Sequence, residues 1–474
     1  MIIGIDASRA NRDVKTGVEW YSYYIIQELK KIIPDSIRVF LYTDKKLKGE
    51  LAELPAGWQE KILKWPFKFL WTQGRLSLEM IFSPPDVLFV PSSAIPFICP
   101  KNTLTTIHDI GFKKFPKCYG LFERIYLDWS TNFAVKKCAK IFVPSEFTKK
   151  DILENFSLPH LIPRLRQVGA GIPVVENDLG TSPSPREGEG GGGGNILENK
   201  IIVTPLGVVN ESQSCHSERS EESRGSPRGD PRNSWVVAPL LPRDSSSSRQ
   251  IGTPQNDGRE VVLGDFILFI GRLTEKKNIS RTIEAFKLFK KENSDSKLKL
   301  VLVGPRRQGR LGVGPTPTCP AGGGAFSPYF AKGETGQPPF FSPCFARGEI
   351  GGVGGGEIFH FDWLPPKEIS QLLGMAKALI FPSLYEGFGL PILEAFAAGT
   401  PVITSKGIAT EEIAGNAAIL VNPLSVAEIK EAISKITSDE NLRQNLIQKG
   451  LERVKDFSWQ KTAELTMSAI FSKI

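Results

Sequence analysis

No stretch of this 474-residue chain approaches the roughly eighteen consecutive apolar residues that a membrane-spanning helix requires. The first residues, MIIGIDASRA, lack the basic start and long apolar core of a secretory signal and read as a buried strand running into a polar loop. Cysteine is sparse: Cys99, Cys118, Cys138, Cys215, Cys319 and Cys344 form no C-x-x-C pair. That spacing argues against a disulfide frame or a zinc site and for the reduced thiols of a cytoplasmic protein. No helix-turn-helix, zinc-finger or RNA-binding signature accompanies the net charge of +8, so anionic partners are sought among phosphates or lipid headgroups and not nucleic acid.

A hydrophobic content of 41% belongs to a soluble globular chain, and the length favours two large domains. Three segments stand apart from the rest. Residues 161–199 pass into TSPSPREGEGGGGG, and 210–258 contain SQSCHSERSEESRGSPRGDPRNS. Residues 305–356 repeat SPYFAKGETG, at Ser327, as SPCFARGEIG, at Ser342. They lack apolar periodicity and are too polar or glycine-rich to offset the entropy of ordering, so they are expected to be disordered insertions in surface loops.

Outside them, strands and helices alternate. MIIGID, RVFLYT, DVLFVP, NTLTTIHD and KIFVPS have strand character, and GVEWYSYYIIQELKKI has helical spacing. The pattern restarts with FILFIG, a helix over NISRTIEAFKLFKKEN, then KLKLVLVG, EIFHFDWL, PPKEISQLLGMA, ALIFPS, PVITS and AAILVN. Such βαβ repeats predict an α/β chain of two doubly wound domains, with ligands at the carboxyl ends of the strands in a cleft between them.

One stretch concentrates chemistry. In LYEGFGLPILEAFAAGTPVI, a strand-end loop leads into a helix with Pro391 in its first turn and Gly399 at its close. The helix start offers free N–H groups to anions, and Gly387 and Gly389 let backbone approach a ligand. Glu386 and Glu394 each accept two hydroxyl hydrogen bonds, which suits vicinal diols; the competing reading makes both surface charges. Arg272 and Lys277 in FIGRLTEKKN suit a diphosphate, against a reading as solvated surface, and Lys276 competes with Lys277 for that place. His108 and Asp109 close another strand, in TIHDIGF. Ser145 and Glu146, in VPSEFTKKDI, have the look of a helix cap. KWPFKFLWTQGR interleaves Trp65, Phe67, Phe69 and Trp71 with Lys64, Lys68 and Arg75, which fits either a membrane interface or a helix burying its aromatics. GPRRQGR, from Gly304, spaces its glycines like a phosphate loop but has Arg310 where Lys is needed.

Glu386 and Glu394, with EGFGLPILEAFAAGTPVI around them, closely resemble the E-x7-E motif of retaining glycosyltransferases of family 4, with the GT-B fold. The resemblance implies two Rossmann-like domains facing a cleft. Residues 1–160 with 200–209 form the acceptor side, 259–455 the nucleotide-sugar side, and 456–474 a C-terminal helix packing back toward the first domain. It also implies that Glu394 holds the ribose and Glu386 the donor sugar, while Phe388, Gly389 and Leu390 present backbone N–H groups to sugar and phosphate. Arg272 and Lys277 match the diphosphate pair, and His108 with Asp109 a pair facing the donor sugar. Gly17 matches a first glycine loop, although Val18 and Glu19 stand where the family often has a second glycine.

The chain contains no Asp-x-Asp, in keeping with a family in which cations and a helix dipole replace a metal at the leaving diphosphate. No metal or cofactor is expected beyond the nucleotide diphosphate sugar, a hexose donor for a glycan or lipid-linked acceptor, with possible peripheral membrane contact. The alternatives are a sugar-nucleotide epimerase on the same fold, and a non-catalytic binder inactivated by the insertions.

Overall fold

The computed structural model describes residues 1–13, 15–67, 70–156, 197–208, 264–305, 357–361, 364 and 366–472. The expected insertions lie outside the described residues except at their edges. There the boundaries shift: Leu197 is buried in the core, and Pro305 O accepts a hydrogen bond from Leu273 N at 3.0 Å. Both residues therefore belong to the folded frame.

Two parallel sheets organise the described residues. In the first, β1 (Ile2–Asp6), β2 (Arg38–Thr43), β3 (Trp58–Ile62), β4 (Val87–Val90), β5 (Thr103–Thr106), β6 (Lys140–Val143) and β7 (Ile201–Val203) run in the order β3-β2-β1-β4-β5-β6-β7. In the second, β8 (Phe266–Ile270), β9 (Lys299–Val303), β10 (Ile358–Phe361), β11 (Ala378–Phe381), β12 (Val402–Ser405) and β13 (Ala418–Val421) run β10-β9-β8-β11-β12-β13. Central strands such as FILFI and ALIF are buried along their whole length, as a parallel sheet covered by helices on both faces demands. Strand order reverses between β1 and β4 and again between β8 and β11, which opens a crevice at the carboxyl ends of each sheet.

The helix Gly17–Ile32 spans the residues whose spacing marked it, and buries Tyr21, Ile25, Ile26 and Leu29. Helix Ile279–Glu292 likewise buries Ile279, Phe286 and Phe289. The strand β3 carries no clear apolar alternation and lies at a sheet edge with only Trp58 buried. Between β3 and β4, the aromatic stretch forms no regular helix through residues 63–66, and then a π-helical turn, Trp71–Leu76. Trp71 Nε1 donates to Leu63 O at 2.8 Å and Trp65 packs over Gly74, whereas Phe67 is exposed.

The chain's last described helix, Trp459–Phe471, leaves the second domain and packs on helix Gly17–Ile32 of the first. Trp459 stacks near Tyr21 and Tyr24 with ring centroids 5.9 and 5.2 Å away. A Cβ on Gly207 would fall 2.1 Å from Trp459 N, so only glycine allows this crossing. No described helix is long and apolar enough to cross a membrane.

Candidate active site

The loop after β11 and the turn after β8 meet at the crevice. Gly389 takes φ of 126°, a conformation reserved in practice for glycine, and caps helix Leu390–Ala397, whose first turn holds Pro391. The N–H groups of Phe388 and Gly389 have no protein acceptor among the described residues. Asn278, at φ of 60°, joins the two segments: its Nδ2 donates to Pro382 O at 2.9 Å, while Leu384 N bonds Lys276 O at 2.9 Å. Lys277 Nζ ion-pairs with Glu386, whose side chain is nearly buried. Arg272 lies exposed just past β8 and has no hydrogen bond or ion pair among the described residues.

The first domain presents the loop after β5. His108 Nε2 lies 3.5 Å from Pro91 O and its ring meets Tyr21 edge-on at 4.7 Å. Burial pushes this imidazole down to about 4, so it is neutral at pH 7. Asp109, which the resemblance pairs with His108 facing the donor sugar, sits where the two domains meet. Its oxygens are taken up by Lys276 Nζ at 2.9 Å and by Gly111 N at 2.8 Å. Burial works to raise the Asp109 carboxyl, but Lys276 and these hydrogen bonds outweigh it and hold it below the usual range. The two adjacent lysines, open alternatives in the sequence, thus have separate partners: Lys277 holds Glu386 and Lys276 reaches across to Asp109.

Glu394, one turn into its helix, opens onto the crevice opposite Tyr24, which feels its charge. Although the residue keeps solvent access on the crevice side, desolvation by the surrounding protein pushes its carboxyl up to about 7. Gly17 begins helix Gly17–Ile32 with open space around its Cα, and Glu19 completes a capping box with Thr16 while pairing with Arg9 at 3.3 Å. Gly387 serves a purpose the sequence did not reveal. A Cβ there would fall 2.0 Å from His108 O, so its bare backbone lets the two domains close on each other. Phe388 turns its ring inward against Phe457, at 5.9 Å, and Leu390 opens the helix.

Sequence reasoning missed three groups. Asp6 is buried at the carboxyl end of β1, and burial raises its carboxyl above the usual value despite the bond from Ser8 N at 2.9 Å. Its place at a strand end beside the switch point was the available signal. Tyr385 donates to Asp151 at 2.6 Å and accepts from Ile110 N at 3.2 Å. Glu412 caps helix Glu146–Phe156 from the opposite domain through Glu146 N at 3.0 Å and Phe147 N at 3.1 Å. The partners of Tyr385 and Glu412 lie more than two hundred residues away in the chain, and no local pattern announces them.

Two doubly wound parallel sheets facing one crevice, closed by a returning C-terminal helix, make the GT-B architecture. It aligns over 100% of this chain and 98% of sucrose-phosphate synthase from Thermosynechococcus elongatus, with a TM-score of 0.53 at 13% identity. It also aligns with Anabaena HepE, solved with UDP and glucose, over 100% of this chain and 99% of that one, with a TM-score of 0.53 at 12% identity. The family model described as glycosyl transferases group 1 matches residues 260–313 and 354–453. Among curated proteins, the O-antigen chain mannosyltransferase B of Escherichia coli is 34% identical over 114 residues, 24% of this chain and 30% of that protein.

Proposed function

We propose that the protein is a retaining glycosyltransferase that moves a hexose from a nucleotide diphosphate sugar to a hydroxyl of a glycan or lipid-linked acceptor. One observation carries the reading: Glu386, Lys277, Glu394 and the free N–H groups of Phe388 and Gly389 converge on the carboxyl ends of β8 and β11, facing His108. That constellation has a diol acceptor at each end and positive charge between, the pattern of a sugar nucleotide. It is supported by the group 1 family match, by the mannosyltransferase relative and by Anabaena HepE, which shares the fold and was solved with UDP and glucose.

In this mechanism Glu394 grips the ribose diol and Glu386 the donor sugar, which His108 also touches. Arg272 and Lys277 receive the diphosphate; Lys277 has donors enough to hold a phosphate oxygen and Glu386 together. The bond between the anomeric carbon and the phosphate oxygen breaks with its electron pair leaving on the diphosphate. The acceptor oxygen attacks from the same face and passes its proton to the departing phosphate. Fixed cations and helix-start N–H groups stabilise that charge without a metal.

For the acceptor, helix Leu121–Lys137 turns an apolar stripe outward: Phe122 is 87% exposed, Leu121 59%, Ile125 56% and Trp129 41%. On the same helix Asp128 is paired with Lys113 and Glu123 accepts from Gly120 N at 3.2 Å, while Arg124, Lys136 and Lys137 add positive charge. Exposed apolar and cationic groups on one helix suit a lipid-borne acceptor at a membrane surface, and this stripe suits it better than the partly buried Trp65 and Trp71.

Titration of the protein with uridine, guanosine and adenosine diphosphate hexoses, followed by release of the free nucleotide, tests the reading. Saturable binding with slow hydrolysis supports it; epimerised nucleotide sugar, or binding to none of the panel, overturns it.

A further inference from the structure

The motif VPSEFTKKDI belongs to the first domain, yet its side chains end on the glycine loop of the second. Ser145 Oγ donates to Gly387 O at 2.7 Å and Thr148 Oγ1 donates to the same oxygen at 3.0 Å. Both hydroxyls are wholly buried. Ser145 Oγ meanwhile accepts from Thr148 N at 3.1 Å, and of the two acceptors within reach of its own proton Gly387 O is nearer than Thr148 Oγ1, at 3.1 Å. One helical turn on, Asp151 takes the Tyr385 hydroxyl, and Lys114 at 3.0 Å holds Asp151 in turn.

A trans peptide is planar, with its C=O and N–H pointing in opposite directions. Pinning Gly387 O toward helix Glu146–Phe156 therefore aims the N–H of Phe388, in the same peptide unit, the other way. That N–H is one of the two with no protein acceptor. We infer that Ser145 and Thr148 are positioning residues that orient the 387–388 peptide so that Phe388 N–H becomes a fixed donor to the sugar diphosphate. Closing the domains and arming the donor site are then a single event, because the pinning hydroxyls reach the loop only when the domains meet. The inference rests on the sugar-nucleotide reading for its ligand, though not for its geometry.

The double variant Ser145→Ala/Thr148→Val removes both hydroxyls with little change of shape. In the ligand-free protein, amide hydrogen exchange across residues 384–390 should rise about tenfold while β1, β8 and β11 keep their protection. Unchanged exchange there overturns the inference whatever the protein binds. With the hexose donor that the wild type accepts, kcat/KM should fall roughly 10–100-fold, mainly through kcat, with affinity for the nucleoside monophosphate retained. The swap Ser145→Thr/Thr148→Ser, which restores both hydroxyls, should recover most of the loss. Equal kinetics in the double variant, or failure of the swap to rescue, defeats the positioning role. Should the double variant melt early, Thr148→Ala alone is read in the same two assays. A wild type that binds no sugar nucleotide refutes the proposed function and leaves the exchange result to judge the geometry.

Discussion

Glu394 places an ionisable group, pushed up to about 7, where a ribose diol is to be held. An ionised carboxylate accepts from both hydroxyls, whereas a protonated one must spend an oxygen as donor. Donor affinity should accordingly rise as pH climbs through about 7 and then level off, and the dependence should vanish in Glu394→Gln; calorimetric titration between pH 6 and 8 checks it. Stability runs in the opposite sense. The raised value favours the folded state below the ordinary carboxylate range, and that contribution is lost as pH rises through about 7, so Glu394→Gln should melt higher than the wild type at pH 8. For the pair across the diphosphate, Glu386→Ala should abolish transfer while sparing nucleotide binding, and Arg272→Ala should weaken binding itself by roughly tenfold or more. Retained turnover in Glu386→Ala would sink the role assigned to that residue.

At the scale of elements, the glycine loop and the helix Glu146–Phe156 form one interface. Gly387→Ala would drive a Cβ into the His108 carbonyl, 2.0 Å away, and neither backbone can yield without parting the domains. Small-angle scattering should show a larger radius of gyration for that variant, and its donor affinity should drop, while each domain keeps its own fold. Much of this element structure was legible beforehand. The strands RVFLYT and FILFI and the helix Gly17–Ile32 appear where their periodicity put them, because a buried strand or amphipathic helix writes its partner surface into its own spacing. Strand β3 was not legible, since an edge strand with alternating charge has no such pattern. The site divides in the same way: the glutamates and glycines of one loop could be read, whereas Ser145, Asp151 and Glu412 act through contacts only folding creates.

For the whole molecule, the apolar stripe on helix Leu121–Lys137 and the three inserted segments make separate predictions. Phe122→Ser with Ile125→Ser should cut co-sedimentation with anionic vesicles several-fold without lowering the melting temperature, because the lost side chains are exposed already. Binding that persists unchanged removes the membrane from the acceptor proposal. Excision of residues 161–196, 210–258 and 306–356 should leave a cooperatively melting protein, provided Leu197 and Pro305 remain with the frame. Loss of the sharp transition in calorimetry would show that these segments contribute to folding.

The return of helix Trp459–Phe471 onto helix Gly17–Ile32 also sets a timetable for biosynthesis. On the ribosome, the face bearing Tyr21 and Tyr24 emerges early, but Trp459, which covers it, comes more than four hundred residues later. At roughly 5–20 residues per second, that leaves an oily surface waiting for on the order of 20–90 s. The nascent first domain is thus a natural client for chaperones until helix Trp459–Phe471 is made.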